Sequence, residues 1–281
     1  MKIGIVGLGL IGGSMAKAIK KNTDEICYGL DINKAVIASA LAQETIDDEI
    51  NVDSLNKCDI VIVSLYPKET IDFILGNKDK FKKGGIVIDA CGVKGSIVNA
   101  VEQELKNEGV HFLGCHPMAG REFSGFAYSV DNLFDKASFI MTPTDNTPVS
   151  VIQKVSNFAY NMGFAKCVVS TPEEHDRIIA FTSQLAHIVS SAYIKSPSLS
   201  KQVGFSAGSF KDLTRVAKLN EDMWTTLFMM NKGHLLNEIN HIIKSLEDYR
   251  DAINNDDNDL LHDLLKEGRE LKEINNNQNR N

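Results

Sequence analysis

Residues 3–31 read IGIVGLGLIGGSMAKAIKKNTDEICYGLD, and this stretch decides the fold. A short apolar run ends in Gly7-Leu8-Gly9-Leu10-Ile11-Gly12, a helical pattern follows, and a second apolar run closes on Asp31. Strand, glycine turn, helix, strand and acid come in the order of a dinucleotide-binding fingerprint. Gly7 permits the tight turn, Gly9 lets the backbone approach a pyrophosphate, and Gly12 lets the helix pack closely on the strand. Leu8, Leu10 and Ile11 complete the turn and open the helix, whose free N–H groups and positive dipole end face the phosphates. Asp31 falls about 20 residues past the glycines, where a carboxylate accepts hydrogen bonds from ribose hydroxyls. It would repel a 2′-phosphate, so the pattern favours NAD over NADP.

Outward from this stretch the chain falls into two parts. Apolar strands at 2–6, 25–30, 59–64, 85–89, 111–115, 138–142 and 166–170 alternate with amphipathic helices. That alternation predicts an α/β fold with a doubly wound, mostly parallel sheet over residues 1–170. Strand signals stop at Thr171-Pro172-Glu173-Glu174, which is a helix start with Thr as N-cap, Pro at the first position and acids in the first turn. Helices are expected at 172–195, 200–217, 220–250 and 255–274, giving an all-α part over 171–281. The polar residues 275–281 read as disordered. Apolar side chains on these helices (Trp224, Leu227, Phe228, Met229, Leu235, Leu236, Ile239, Ile242, Ile243) exceed what a small bundle buries alone, which predicts a homodimer.

Composition excludes several classes. A net charge of −7 argues against nucleic acid or an anionic membrane as the main partner. Five scattered cysteines give no disulfide framework and point to a reducing, cytoplasmic location. The first strand begins at Lys2, so no targeting peptide is expected ahead of it. No HExxH or CxxC spacing supports a metal.

Ligands of open α/β sheets bind beyond the carboxyl ends of the strands. Three segments meet that rule: Ser64-Leu65-Tyr66-Pro67, Asp89 to Gly95, and Cys115 to Glu122. Ser64 falls on the cofactor side. His116 ends a strand, precedes Pro117 and has an ordinary pKa of about 6.5, which suits proton abstraction near neutrality. Cys115 makes a poor nucleophilic partner for it, because neighbouring strand residues point to opposite faces. Lys94 either holds an anionic substrate or caps a helix. Glu122 either orients a base or forms a surface pair. Arg215, among apolar neighbours, is either a fork for a carboxylate or a surface residue with a buried stem. His187 reads as a core histidine, and His234, Glu238 and His241 as a solvated stripe.

Together these motifs resemble one family. Gly7 to Ser14, Asp89-Ala-Cys-Gly-Val-Lys-Gly95, His116-Pro-Met-Ala-Gly120, Pro172-Glu-Glu-His-Asp176 and Phe210-Lys-Asp-Leu-Thr-Arg-Val-Ala217 are similar to the prephenate dehydrogenases of tyrosine biosynthesis. The likeness covers nearly the whole chain, and the last four motifs are specific. It implies a Rossmann-type domain followed by an all-α dimerisation domain. It also implies NAD as cofactor, His116 as the catalytic histidine at the ring hydroxyl, and Arg215 on a substrate carboxylate. Glu122 then matches an acid that gates the site, and His187 a histidine at the substrate side chain. Lys94 or Arg121 could meet the second carboxylate. Many relatives carry Ser in place of Gly92, and some carry His in place of Gln184. The implied reaction is NAD-dependent oxidative decarboxylation of prephenate to 4-hydroxyphenylpyruvate, open to inhibition by tyrosine. The alternatives are arogenate as substrate, another small-molecule dehydrogenase on the same cofactor fold, or a non-catalytic NAD-sensing module.

Overall fold

A computed structural model of the chain describes residues 1–121 and 123–278. Its first element is the strand β1 (Lys2–Val6), followed by α1 (Leu10–Asn22), β2 (Ile26–Leu30), α2 (Lys34–Ala42) and β3 (Asp48–Glu49). A 3-10 turn leads to β4 (Ile60–Val63), α3 (Pro67–Gly76), β5 (Ile86–Asp89), α4 (Gly95–Asn107) and β6 (His111–Pro117). Then come β7 (Ser138–Thr142), α5 (Val149–Asn161) and β8 (Lys166–Val169). The eight strands form one sheet in the order β3-β2-β1-β4-β5-β6-β7-β8. Pairing is parallel from β3 to β6, antiparallel between β6 and β7, and parallel again to β8. The strand order reverses between β1 and β4, which places a ligand crevice beyond their carboxyl ends.

The central strands are buried on both faces, and their side chains sort by type. Ile3, Ile5, Ile60, Ile62, Ile86 and Ile88 belong to one core with Met15 and Ile19 of α1 and Val155 and Phe158 of α5. Val6, Val61, Val63 and Val87 point to the other, against Ile74 of α3 and Ile97, Val101 and Leu105 of α4. Period-two alternation with both faces covered is the signature of a parallel sheet between helical layers. On the first face α1 sits very close to the strands. A Cβ on Gly12 would lie 2.0 Å from the carbonyl oxygen of Gly7, a distance no side chain tolerates.

The helical elements are α6 (Pro172–Ile179), a π-turn at Ala180–Leu185, α7 (Ala186–Tyr193), α8 (Gly208–Thr214), α9 (Glu221–Met230), α10 (Lys232–Asn254) and α11 (Asn258–Gln278). The chain divides into two compact units, Met1–Lys232 and Gly233–Asn281. In the first, α6 packs on α4, and Leu227 of α9 joins the valine-side core with Met223 and Trp224 against it. Leu227 is thereby buried within the chain, and Met223 and Trp224 are partly buried beside it. The second unit is a helical hairpin in which the Tyr249 hydroxyl donates to the Leu264 carbonyl at 3.2 Å. Ile243, Leu246, Ile253, Leu265, Leu271 and Ile274 stay exposed along it. The polar tail read as disordered is helical through Gln278; 279–281 lie outside the described residues. Among the described residues no helix is long and apolar enough to cross a membrane.

Gly12 and Gly9 separate packing from ligand approach. No described atom lies within 4 Å of a Cβ built on Gly9. Gly12→Ala is expected to lower stability to urea by roughly 1–3 kcal/mol. Gly9→Ala should leave it within about 0.5 kcal/mol while costing dinucleotide affinity. Equal stability losses would refute the distinction.

Candidate active site

The glycine turn has the geometry of a dinucleotide cradle. Gly7 adopts φ +86°, and a Cβ there would meet the Ser64 carbonyl at 2.5 Å. Gly9 caps α1 with no side chain of its own, so the N–H groups of Leu10 and Ile11 open toward the crevice unscreened. The Leu8 side chain is buried in the core, so this residue offers only backbone, and its N–H is held by Asp31 Oδ2 at 2.8 Å. Asp31 Oδ1 accepts from the Asn33 N–H, also at 2.8 Å. The acid is thus fixed at the end of β2 with lone pairs left for hydroxyl donors. Ser64 follows β4 at the switch point, its Cβ 3.1 Å from a Cβ built on Gly12. A bare helix N-terminus, open space at Gly9 and an anchored acid together fit a dinucleotide carrying a free 2′-hydroxyl.

Lys94 does not face the site. Its side chain is 0% exposed and forms a buried ion pair with Asp89 at the end of β5. Lys94 Nζ also donates to the Cys115 carbonyl at 2.6 Å, and Asp89 Oδ1 accepts from the Cys115 N–H at 3.0 Å. Asp89 Oδ2 accepts in addition from Cys91 at 3.1 Å. The pair clamps both peptide groups flanking Cys115, the residue before His116. Gly114 makes room for the neighbouring strand and helix, since a Cβ there would lie 2.5 Å from Thr142 Oγ1 and 3.0 Å from Val98 Cγ2. A lysine at a helix start can turn inward as readily as outward, and here the buried carboxylate decides. Cys115 is fully buried, and desolvation pushes its thiol pKa well up, so it is inert.

His116 leaves β6 on the face opposite Cys115. Its Nδ1 lies 2.9 Å from Nε2 of His175, whose own Nδ1 lies 2.8 Å from Asp176 Oδ1. Asp176 also accepts the N–H groups of Lys94 and Gly95, each at 2.8 Å, at the start of α4. Burial holds the His116 pKa well below the ordinary histidine value, and the neighbouring His175 and Lys94 push the same way. The base is therefore neutral across a wider range than an unperturbed imidazole would be. A Cβ on Gly92 would lie 3.9 Å from both Cε1 and Nε2 of His116 and 3.7 Å from Leu227 Cδ2. The outer edge of the ring thus opens on the space that glycine leaves.

The helical elements bring a second cluster beside this one. Thr171 caps α6 by accepting from the Glu174 N–H at 3.1 Å, which aims His175 and Asp176 inward one turn later. Asn231, between α9 and α10, donates to the Asp176 carbonyl at 2.8 Å and to Gln184 Oε1 at 2.9 Å. His187 Nδ1 donates to the Val216 carbonyl at 3.1 Å, and its ring sits on Trp224 with centroids 3.9 Å apart. Burial lowers the His187 pKa, and the Arg215 charge adds to the effect against the Val216 hydrogen bond. Arg215 itself is exposed at the end of α8. Trp224 and Leu227 share a face of α9, so this cluster adjoins Gly92 and His116. Arg121 donates to the Tyr128 carbonyl at 3.3 Å on an exposed loop. Glu122 lies outside the described residues. Sequence reading quoted the motif holding His175 and Asp176 without giving them a task.

Removing one partner of a buried pair strands the other charge. Lys94→Met keeps the stem and should cost about 3–5 kcal/mol in urea unfolding. A loss below about 1 kcal/mol would show that the pair carries no such burden.

Comparisons with known proteins identify the family. The models for the prephenate dehydrogenase nucleotide-binding domain and dimerization domain match residues 15–169 and 171–267. A cyclohexadienyl dehydrogenase of Zymomonas mobilis is 30% identical over 96% of this chain and 94% of that protein. A prephenate dehydrogenase of Bacillus subtilis is 28% identical over 96% of this chain and 74% of its own length. Among solved structures, prephenate dehydrogenase from A. aeolicus in complex with hydroxyphenyl propionate and NAD+ superposes with TM-score 0.87 at 29% identity, covering 98% of each chain. The Synechocystis arogenate dehydrogenase superposes with TM-score 0.84 at 25% identity, covering 98% of this chain and 99% of that one. With both family domains matched and the cradle and histidine cluster in place, the chain belongs to the prephenate dehydrogenase family, the NAD-dependent oxidoreductases of tyrosine biosynthesis.

Proposed function

We propose that this chain converts prephenate to 4-hydroxyphenylpyruvate and carbon dioxide, with His116 as the base. The observation that carries the reading is the meeting of two clusters beyond the strand ends. The free edge of His116 opens at Gly92, and Leu227 joins that space to Trp224, His187 and Arg215. Gly7, Leu8, Gly9, Leu10, Ile11, Gly12, Asp31 and Ser64 form the seat for NAD, with the N-terminus of α1 toward the phosphates and Asp31 toward the ribose. Bound NAD supplies the hydride acceptor. His116 takes the ring-hydroxyl proton on Nε2 as the carbonyl forms. Arg215 holds a substrate carboxylate by its guanidinium fork. His187 and Trp224 flank the side chain, which they orient rather than activate. Loss of the ring carboxylate as carbon dioxide then completes an aromatic ring.

Prephenate is favoured over arogenate by charge. The side-chain cluster presents the Arg215 cation and an imidazole whose pKa is lowered. A keto acid meets that environment without repulsion, whereas an ammonium group would face a like charge. The functional boundary in this reading falls at 170/171, with 171–281 building a homodimer from the exposed apolar residues of the second unit. Tyrosine, with the same hydroxyl and a similar side chain, would compete at the same site. The cysteines, none of them in a disulfide, suit the cytoplasm.

Absorbance at 340 nm with NAD+ tests the reading directly, prephenate giving the larger kcat/KM than arogenate. His116→Asn should cut kcat by roughly 10²–10⁴-fold with NAD affinity unchanged. Because the base pKa is lowered, wild-type kcat should hold as pH falls through about 6.5 and decline only below it. Arg215→Lys should raise the prephenate KM about tenfold or more and leave NAD binding alone. Normal turnover in His116→Asn would end the mechanism. Light scattering should give about twice the 31.0 kDa chain mass at micromolar concentration, and a single-chain mass would overturn the dimer.

A further inference from the structure

The base candidate is held by a row of groups whose polarity the backbone dictates. Asp176 receives three donors: the N–H groups of Lys94 and Gly95, and Nδ1 of His175. Burial opposes its ionisation, but the hydrogen bonds from His175, Gly95 and Lys94 outweigh burial, and the carboxyl pKa is lowered. An ionised carboxylate can only accept, so the proton on His175 sits at Nδ1. Burial lowers the His175 pKa as well, despite Asp176 beside it, which keeps the ring neutral and its Nε2 bare. A bare Nε2 at 2.9 Å from His116 Nδ1 must accept. His116 therefore carries its proton on Nδ1 and presents an unprotonated Nε2 to the space at Gly92. The opposite polarity would set the lone pair of His175 Nδ1 against a carboxylate oxygen at 2.8 Å.

We propose that His175 and Asp176 are positioning residues that lock His116 in the tautomer with a free Nε2 and share the charge created when that nitrogen is protonated. The inference rests on the reading of His116 as the base. In the step concerned, the substrate O–H bond breaks and its proton binds His116 Nε2, while the oxygen electron pair closes the carbonyl as the carbinol hydride departs to the nicotinamide. The His116 Nδ1–H then donates as part of an imidazolium, and the proton is shared toward His175 Nε2, with Asp176 behind it. The interposed histidine explains why this arrangement orients without charging. A carboxylate bonded directly to His116 would raise its pKa. One ring farther off, Asp176 sets the direction of the hydrogen bonds, while the titratable groups facing His116 are Lys94, already paired with Asp89, and the neutral ring of His175.

The test begins with the unmodified enzyme. Nitrogen-15 spectra of histidine-labelled protein, with the His116 signals identified by their loss in His116→Asn, should show the Nδ1–H tautomer at neutral pH. An Nε2–H tautomer would overturn the proposal whatever any variant does. His175→Leu removes the acceptor and should lower kcat by about 10²-fold, the low end of a general-base contribution. The prephenate KM and NAD affinity should barely change, and the His116 spectrum should become a mixture of tautomers. His175→Gln restores an acceptor near the Nε2 position and should recover much of the rate and the single tautomer. If His116→Asn abolishes turnover while His175→Leu leaves both kcat and tautomer intact, the base survives and the positioning role is lost. If His116→Asn turns over normally, the underlying reading fails instead.

Discussion

A charge pair sealed inside the sheet half governs the rest of this molecule. Asp89 and Lys94 have no water, so each must find all of its partners in the protein. They find them in one another and in the backbone of Cys91 and Cys115. The end of β5, the turn after it and the end of β6 are thereby tied into one rigid corner. His116 projects from that corner, and α4 starts from it. Such a pair is weak evidence of net stability, because desolvation consumes much of its attraction. Its contribution is geometric: slipping β6 by one residue would cost the pair its hydrogen bonds to the Cys115 backbone and turn the histidine to the wrong face.

One carboxylate ties the second half of the site directly to that corner, beside the Ser96 hydroxyl on the Met230 carbonyl and the burial of Leu227. Asp176 caps the start of α4 through the Lys94 and Gly95 amides, and Asn231 ties the Asp176 carbonyl to Gln184. The helical elements that carry His187 and Trp224 are thus referenced to the same point as the base. A substrate with a reacting hydroxyl at one end and carboxylates elsewhere needs that common frame, since small displacements of either end cost rate.

Much of the sheet was legible because buried parallel strands leave runs such as IGIV, IVIV and IVID bounded by glycines and polar turns. The strand β3 was not legible: it has two residues, both acidic and exposed. The helix expected over 220–250 is broken at Asn231, a polar residue 3% exposed, and the reason lies in partners distant in sequence. The expected 200–217 helix shrinks to Gly208–Thr214 after a 3-10 turn at Pro197–Lys201. His116 stood out because it ends a strand and precedes proline. Lys94 stood between a substrate cation and a helix cap because sequence gives a lysine at a helix start no direction; the cap position holds, and only the buried Asp89 turns the side chain inward. His175 and Asp176 were visible as letters in a motif, but their task depends on meeting β6 and α4 in space.

The π-turn at Ala180–Leu185 fixes an angle as well as a path. At 100° per residue, His187 would sit about 120° around a regular helix from His175. A π-turn absorbs one residue, which brings the two to within about 20° of each other. The histidine that braces the base and the histidine at the substrate side chain therefore look out along nearly the same line. Losing one residue from this segment would relax it to a regular helix with the phase unchanged, whereas straightening the turn with every residue kept would swing the two ends of the site about 100° apart.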